Sequence, residues 1–317
     1  MRCADMVMHA MSYHPRYQSG DIARAYWTFV AGWQTEAGGL HRVGAMQWHL
    51  LELASRFAFS STRTILEKSL PLAVKRQKRD GGFHANFPAL TACQVTLAYA
   101  RHRMLDRLLA GLRYDPRPLI QGLDTPLGLK TRREALGTPN QDDVELAHRL
   151  EQKILEQQQP GGSWHGLIVA TGQAVHDLLD CGLDSEHPAI GQACAWLLAQ
   201  QRSIDRDLFP QAPNVALNGM FYTAHIEDEF AFEKRHHPEY GWRRDRQECL
   251  DLLPTYQTGA ALSALCRCGY VDAPEVQKGF ADLLRIRGPG DVNYEHHWCN
   301  CHLGRWLHQG VARFGTE

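Results

Sequence analysis

Gln157-Gln158-Gln159-Pro160-Gly161-Gly162-Ser163-Trp164 decides the fold. A polar, glutamine-rich helix end runs into a Gly-Gly turn, and a bulky apolar residue follows. Ala170-Thr171-Gly172-Gln173-Ala174-Val175-His176-Asp177-Leu178-Leu179 then reads as a second helix dense in small residues. After Gly182, Ile190, Ala193, Cys194, Leu197 and Leu198 recur three and four apart, the helical period.

The same spacing recurs along the chain. Gln34 is followed by Gly38 and Leu40, and Gln77 by Gly81 and Phe83, each reading Gln-x-x-x-Gly-x-hydrophobic like Gln158, Gly162 and Trp164. The period is roughly 41 residues with one degenerate copy between the second and third, which is the range of two-helix repeats. Extrapolation puts further copies near Gln200-Gln201 and near Arg287-Gly288. No stretch alternates with period two, so the fold class is all-α in helix pairs.

A two-helix repeat cannot bury its apolar face alone and stacks on its neighbours. Gly259-Ala260-Ala261, Ala264 and Thr91-Ala92-Cys93 carry little side-chain bulk and allow close helix approach. The architecture expected is an α/α toroid of about six helix hairpins, with inner and outer helix rings, spanning 1–317 as one domain. Two segments break the period. Residues 115–143 are rich in Pro and Gly, with a short helical candidate at Arg132 to Leu136, and half of the residues in 225–248 are charged.

Composition narrows the function classes. The 317 residues are 44% hydrophobic and 22% charged, which excludes disordered and fibrous classes. Thirty-four Lys and Arg against 35 acids give a net charge of −1, so no phosphate-backbone footprint points to nucleic acid. No apolar run approaches a transmembrane length; peripheral membrane contact stays open, as does the oligomeric state. The mixed start Met1-Arg2-Cys3-Ala4-Asp5-Met6 lacks a secretory pattern, so the expected location is cytoplasmic, with reduced thiols among the nine cysteines.

The Gln-x-x-x-Gly-x-Trp unit resembles the repeat of squalene cyclases, class II terpene cyclases and protein prenyltransferase β subunits. Pro254-Thr255-Tyr256-Gln257-Thr258-Gly259-Ala260 is similar to the Pro-x-x-Gln-Thr-Ala helix start of late cyclase repeats. Pro289-Gly290-Asp291, with Tyr294 after it, resembles the entry to the last cyclase helix. The resemblance implies the toroid and an active site in its cavity, acting on an apolar, isoprenoid-class substrate by lyase, isomerase or transferase chemistry. The cyclase Asp-x-Asp-Asp acid is absent, and the place of the prenyltransferase Asp-x-Cys reads Leu253-Pro254-Thr255. His297-Trp298-Cys299-Asn300-Cys301 does resemble the last prenyltransferase zinc segment.

Candidate site residues follow. On a helix His297 and Cys301 share one face, and Cys299 and His302 another. Imidazole and thiolate suit zinc or another transition metal. His41, His84 and His165 stand just after the Gly-Gly pair of three repeats. With His297 they would line one mouth of a ring, where imidazoles move protons near neutral pH. Glu227-Asp228-Glu229 is the one acidic triplet, and Asp228 is its candidate acid. Tyr256 joins Trp48, Phe83, Trp164 and Trp298 as a candidate cavity aromatic. The catalytic candidates are thus Asp228, His84, His165 and Tyr256, and the metal candidates are His297, Cys299, Cys301 and His302. Two other readings stand beside the enzyme on an apolar substrate. One is a non-catalytic toroid holding a lipid, cofactor or peptide, and the other is a zinc enzyme acting on peptide thiols.

Overall fold

The computed structural model describes residues 3–40, 46–137, 141–203, 217–223, 225–236 and 246–286. The chain is all-α. In order it forms α1 (Cys3–Tyr13), α2 (Pro15–Gln18), α3 (Asp21–Trp33), α4 (Met46–Ala54), α5 (Ser60–Arg76), α6 (Pro88–Arg101), α7 (Leu105–Gly111), α8 (Arg117–Gln121) and α9 (Pro126–Thr131). A π-helical turn at Arg132–Leu136 leads to α10 (Gln141–Leu155), α11 (Ile168–Cys181) and α12 (Pro188–Leu198). Two-residue strands β1 (Gln201–Arg202) and β2 (Met220–Phe221) pair antiparallel before α13 (Ile226–His236), α14 (Arg246–Arg267) and α15 (Pro274–Ile286). Among the described residues no helix is long and apolar enough to cross a membrane.

The repeat is a set of hydrogen bonds. Gln158 donates from Nε2 to the carbonyl of Gly162 at 3.0 Å and to that of Ala189, at the start of α12, at 2.8 Å. Gln34 does the same to Gly38 and to Ile65 of α5, both at 3.0 Å. Gln77 reaches Gly81 at 3.4 Å and Tyr114 at 2.5 Å. One amide therefore ties each turn to a later segment, which a shorter or single-donor side chain could not do. The glycines are fixed twice over. Gly38, Gly81 and Gly162 have φ of 83°, 91° and 91°, the left-handed region. A Cβ on Gly162 would stand 2.5 Å from the Gln192 carbonyl of α12.

A fourth copy is present in spread-out form. Gln201 Nε2 donates to Gly219 O at 3.0 Å and to Glu275 O of α15 at 2.6 Å. The bridge Gln201↔Phe221 repeats the bridge Gln158↔Trp164. In three of the four copies the apolar residue donates its N–H to a threonine on a later helix: Phe83 to Thr91 (3.1 Å), Trp164 to Thr171 (3.0 Å) and Phe221 to Thr258 (3.0 Å). The copy expected near Arg287-Gly288 lies outside the described residues.

The chain divides into two compact units. The first comprises residues 19–153 and 180–182. In it α4 packs on α6 and α3 on α5, around Trp27, Trp48, Leu51, Phe57 and Tyr99. The period is broken at 115–143 by α8, α9 and the π turn. Buried Arg132 organises this stretch: Nη1 donates to the carbonyls of Ile120 (2.8 Å), Gln121 (3.2 Å) and Leu123 (3.3 Å), and Nε lies 2.7 Å from Asp143.

The second unit comprises residues 1–18, 154–179 and 183–317. In its described part α1 lies along α14, and Gly259 makes this possible, since a Cβ there would sit 3.1 Å from Met6 backbone. Gly172 of α11 lets Ala260 O approach in the same way, at 3.2 Å from the would-be Cβ. Pro254 does not begin its helix, as its resemblance to a cyclase helix start implies. It lies inside the 22-residue α14, which continues through it at the loss of one backbone bond.

Candidate functional site

The four described site candidates fall in different settings. His84 belongs to the first unit, while His165, Asp228 and Tyr256 belong to the second. His84 is half-buried; its Nδ1 accepts from Asn86 N at 3.2 Å, and its ring stacks 5.5 Å from Phe87. His165 is exposed on a left-handed residue with φ of 58°, its ring 5.9 Å from Phe232. Asp228 is exposed on the first turn of α13, 3.7 Å from His225 Nδ1. Tyr256 is buried among Val169, Leu253 and Ala260, with Met6 packed against them.

The acidic triplet separates into two kinds of residue. Glu227 and Asp228 face solvent, whereas Glu229 has no exposed surface. Its carboxylate accepts from Ile168 N at 2.5 Å and Val169 N at 3.3 Å. These are orphan donors at the start of α11, where the helix dipole favours a negative charge. Glu229 thus caps a helix from a distant part of the sequence.

A polar cluster of the second unit joins α1, α11 and α14. His176 Nε2 lies 2.7 Å from Ser263 Oγ, and Ser263 Oγ lies 2.8 Å from His9 Nδ1. Arg267 Nη1 donates to His176 Nδ1 at 3.0 Å and to the His176 carbonyl at 3.1 Å. The rings of His9, Tyr13 and His176 gather within 5.2–5.4 Å of one another, and the Arg267 guanidinium stands 5.7 Å from the Tyr13 ring. Ser263 is fully buried and His176 nearly so, while His9 is half-buried.

Proton positions follow from chemistry. Guanidinium only donates, so His176 Nδ1 accepts, and its ring proton sits on Nε2 and points to Ser263. The serine oxygen then either donates to His9 Nδ1 or accepts from it, because a hydroxyl has one proton and two lone pairs. Both arrangements keep the Ser263–His9 bond in place.

None of these three residues is marked by local pattern. His9 and Ser263 are 254 residues apart in sequence. The repeat register does carry a signal: His176 follows Thr171, and Ser263 follows Thr258, by the same interval that separates Thr91 from buried Thr96. One helix position thus collects buried polar side chains.

The metal candidates His297, Cys299, Cys301 and His302 lie outside the described residues, as do His41, Tyr294 and Trp298. Among the described residues no group of three or more His, Cys, Asp or Glu side chains could hold a metal ion. No protein-family model, curated protein or solved structure matches the chain.

Proposed function

We propose that this chain is an enzyme of terpene cyclase-like repeat architecture, closed as an α/α toroid, that takes an apolar, isoprenoid-class substrate and exchanges a proton with it at His9. The observation that carries the reading is the hydrogen-bonded chain from Arg267 through His176 and Ser263 to His9. An imidazole held on one nitrogen by a hydroxyl, and half-exposed, is suited to general acid–base work. As an acid, His9 is an imidazolium whose Nδ1–H rests on Ser263 while Nε2–H passes to substrate. As a base it runs the same step in reverse. The four-copy glutamine staple supports the architectural half of the reading, and the apolar substrate rests on the resemblance of the repeat.

The test is turnover of linear isoprenoid hydrocarbons and alcohols in D2O. The wild type is expected to give product carrying carbon-bound deuterium. His9→Gln is expected to remain folded and to lose turnover by about 10²- to 10⁴-fold. Wild-type turnover in both His9→Gln and Ser263→Ala would refute the assignment.

Zinc or another transition metal at His297, Cys299, Cys301 and His302 is the second part of the proposal. Soft thiolate and imidazole donors fit such an ion, which would supply Lewis acidity. Elemental mass spectrometry is expected to find about one metal per chain, consistent with a single mononuclear site, and to find it lost in Cys301→Ala. A metal-free wild type would remove this part and leave the His9 assignment standing.

A further inference from the structure

The first unit carries a second constellation. A cavity of about 470 Å³ opens where the turn after α4 meets the end of α6. Its lining includes Arg56, Arg63, Arg101, Arg103 and His102, and no carboxylate. Four guanidinium groups around one concave space are unusual, because like charges brought together raise each other's energy unless an anion compensates.

The nearby acids compensate only in part. Glu52 is buried beneath the turn. Arg56 Nε lies 3.1 Å from its Oε1, and Arg101 Nη1 lies 2.5 Å from the same oxygen. Arg101 reaches Glu134 only at 3.5 Å. Arg63 pairs with Glu67 at 3.0 Å across an exposed helix face, a geometry worth little in water. Arg103 makes no ion pair among the described residues, and its left-handed backbone, φ 57°, turns the chain at this place. The 17-residue helix α5 also begins here, and its N-cap residue Phe59 supplies no side-chain bond to the open amides.

We infer that this cavity is a binding site for a phosphoryl group, carried by a soluble phosphorylated small molecule or by a lipid headgroup. Guanidinium groups match phosphate oxygens two at a time, and the buried Glu52 holds two of them in place before a ligand arrives. Serine and amide donors at the start of α5 add neutral contacts of the kind that helix N-termini offer to anions.

His102 supplies a local probe. Its Nε2 lies 3.2 Å from the Ser55 carbonyl. Burial lowers its pKa below 6.5, and the positive charges of Arg63 and Arg101 lower it further. An anion in the cavity opposes that field.

The experiment titrates the full chain with sodium pyrophosphate while following the His102 ring by NMR and the heat by calorimetry. Saturable binding, with the His102 pKa moved upward, is expected. Arg63→Gln and Arg103→Asn are each expected to weaken binding by about tenfold, the loss of one charge-assisted contact. Asparagine keeps the left-handed turn accessible, and unchanged far-UV circular dichroism separates lost binding from lost folding. Sedimentation with phosphatidic acid vesicles decides the source. Vesicle binding without pyrophosphate binding, abolished by the same substitutions, assigns the site to a headgroup. Absence of both, or binding indifferent to both substitutions, overturns the proposal.

Discussion

Gln201 bonds Gly219 across an interval of 18 residues in the way that Gln158 bonds Gly162 across four. In both, the same amide also holds the start of a later helix, at Glu275 and Ala189. A loop can be lengthened at small entropic cost if its ends are tied. The staple ties them, and this is how the repeat tolerates an insertion between its glutamine and its glycine.

The turn glycine is therefore a sensitive position. Gly162→Ala forces a Cβ to within 2.5 Å of the Gln192 carbonyl on a residue with φ of 91°. The expected loss is about 2–3 kcal/mol, from backbone strain of the left-handed region plus displacement of α12. Gly161→Ala is the control, since a Cβ there meets nothing within 4 Å. Urea unfolding that shows equal midpoints for the two variants would contradict the steric account.

Glu229 and Asp228 are adjacent in sequence and opposite in consequence. Glu229→Ala leaves the first amides of α11 without their acceptor and is expected to cost about 2–3 kcal/mol, the range for a lost charged hydrogen bond. Asp228→Ala, on an exposed side chain, is expected to change stability by less than about 0.5 kcal/mol. Thermal melts of the two variants check the contrast. A stable Glu229→Ala protein would mean that water replaces the carboxylate.

The Glu52 network makes the first unit acid-sensitive. Burial alone would raise the Glu52 carboxyl; the charges of Arg56 and Arg101 outweigh it and, with the Arg101 hydrogen bond and His49, hold the carboxyl well below its ordinary 4.5. A carboxyl depressed by folding contributes stability that is complete above pH 4.5 and fades as pH falls towards its folded value. Glu52→Gln is expected to cost about 3–5 kcal/mol at pH 7, because two partly buried guanidinium groups lose their counter-charge. Its stability should also vary less with pH below 4.5 than that of the wild type. Parallel pH profiles for the two proteins would show that the network is not the acid-labile element.

Much of the helical scaffold was legible in the sequence because each repeat residue answers a separate requirement. Gln34, Gln77 and Gln158 must reach two carbonyls, and their glycines must take positive φ, so the pattern survives at fixed spacing. Gln201 was placed by extrapolation, but Gly219 and Phe221 were hidden by the insertion. The candidate site was less legible. Glu229 meets its partner 61 residues away, and the His9–Ser263 contact joins residues 254 apart in sequence. Spacing rules see neighbours along one helix; they do not see which face of α1 meets α14. Pro254 misleads for the same reason, since a proline marks a helix start only where nothing upstream is helical.

The described thiols differ enough to be ranked by chemistry. Burial pushes Cys93 up to about 11 and Cys266 up to about 12, so both are almost wholly protonated at pH 8. Cys268 is shifted downward, because Cys194 hydrogen-bonds its sulfur and Arg267 adds a positive charge, both working against burial. The same bond shifts Cys194 upward. The thiolate is the nucleophile, so the half-buried Cys268 combines ionisation with access. Iodoacetamide at pH 8, followed by peptide mass mapping, is expected to label Cys268 before Cys93, Cys194 and Cys266. Cys194→Ala removes the hydrogen bond and is expected to slow that labelling while leaving Cys93 unchanged. Earlier labelling of Cys93 or Cys266 would show that transient opening, rather than thiolate population, governs reactivity. A faster Cys268 in Cys194→Ala would show that the neighbouring sulfur shields it instead of activating it.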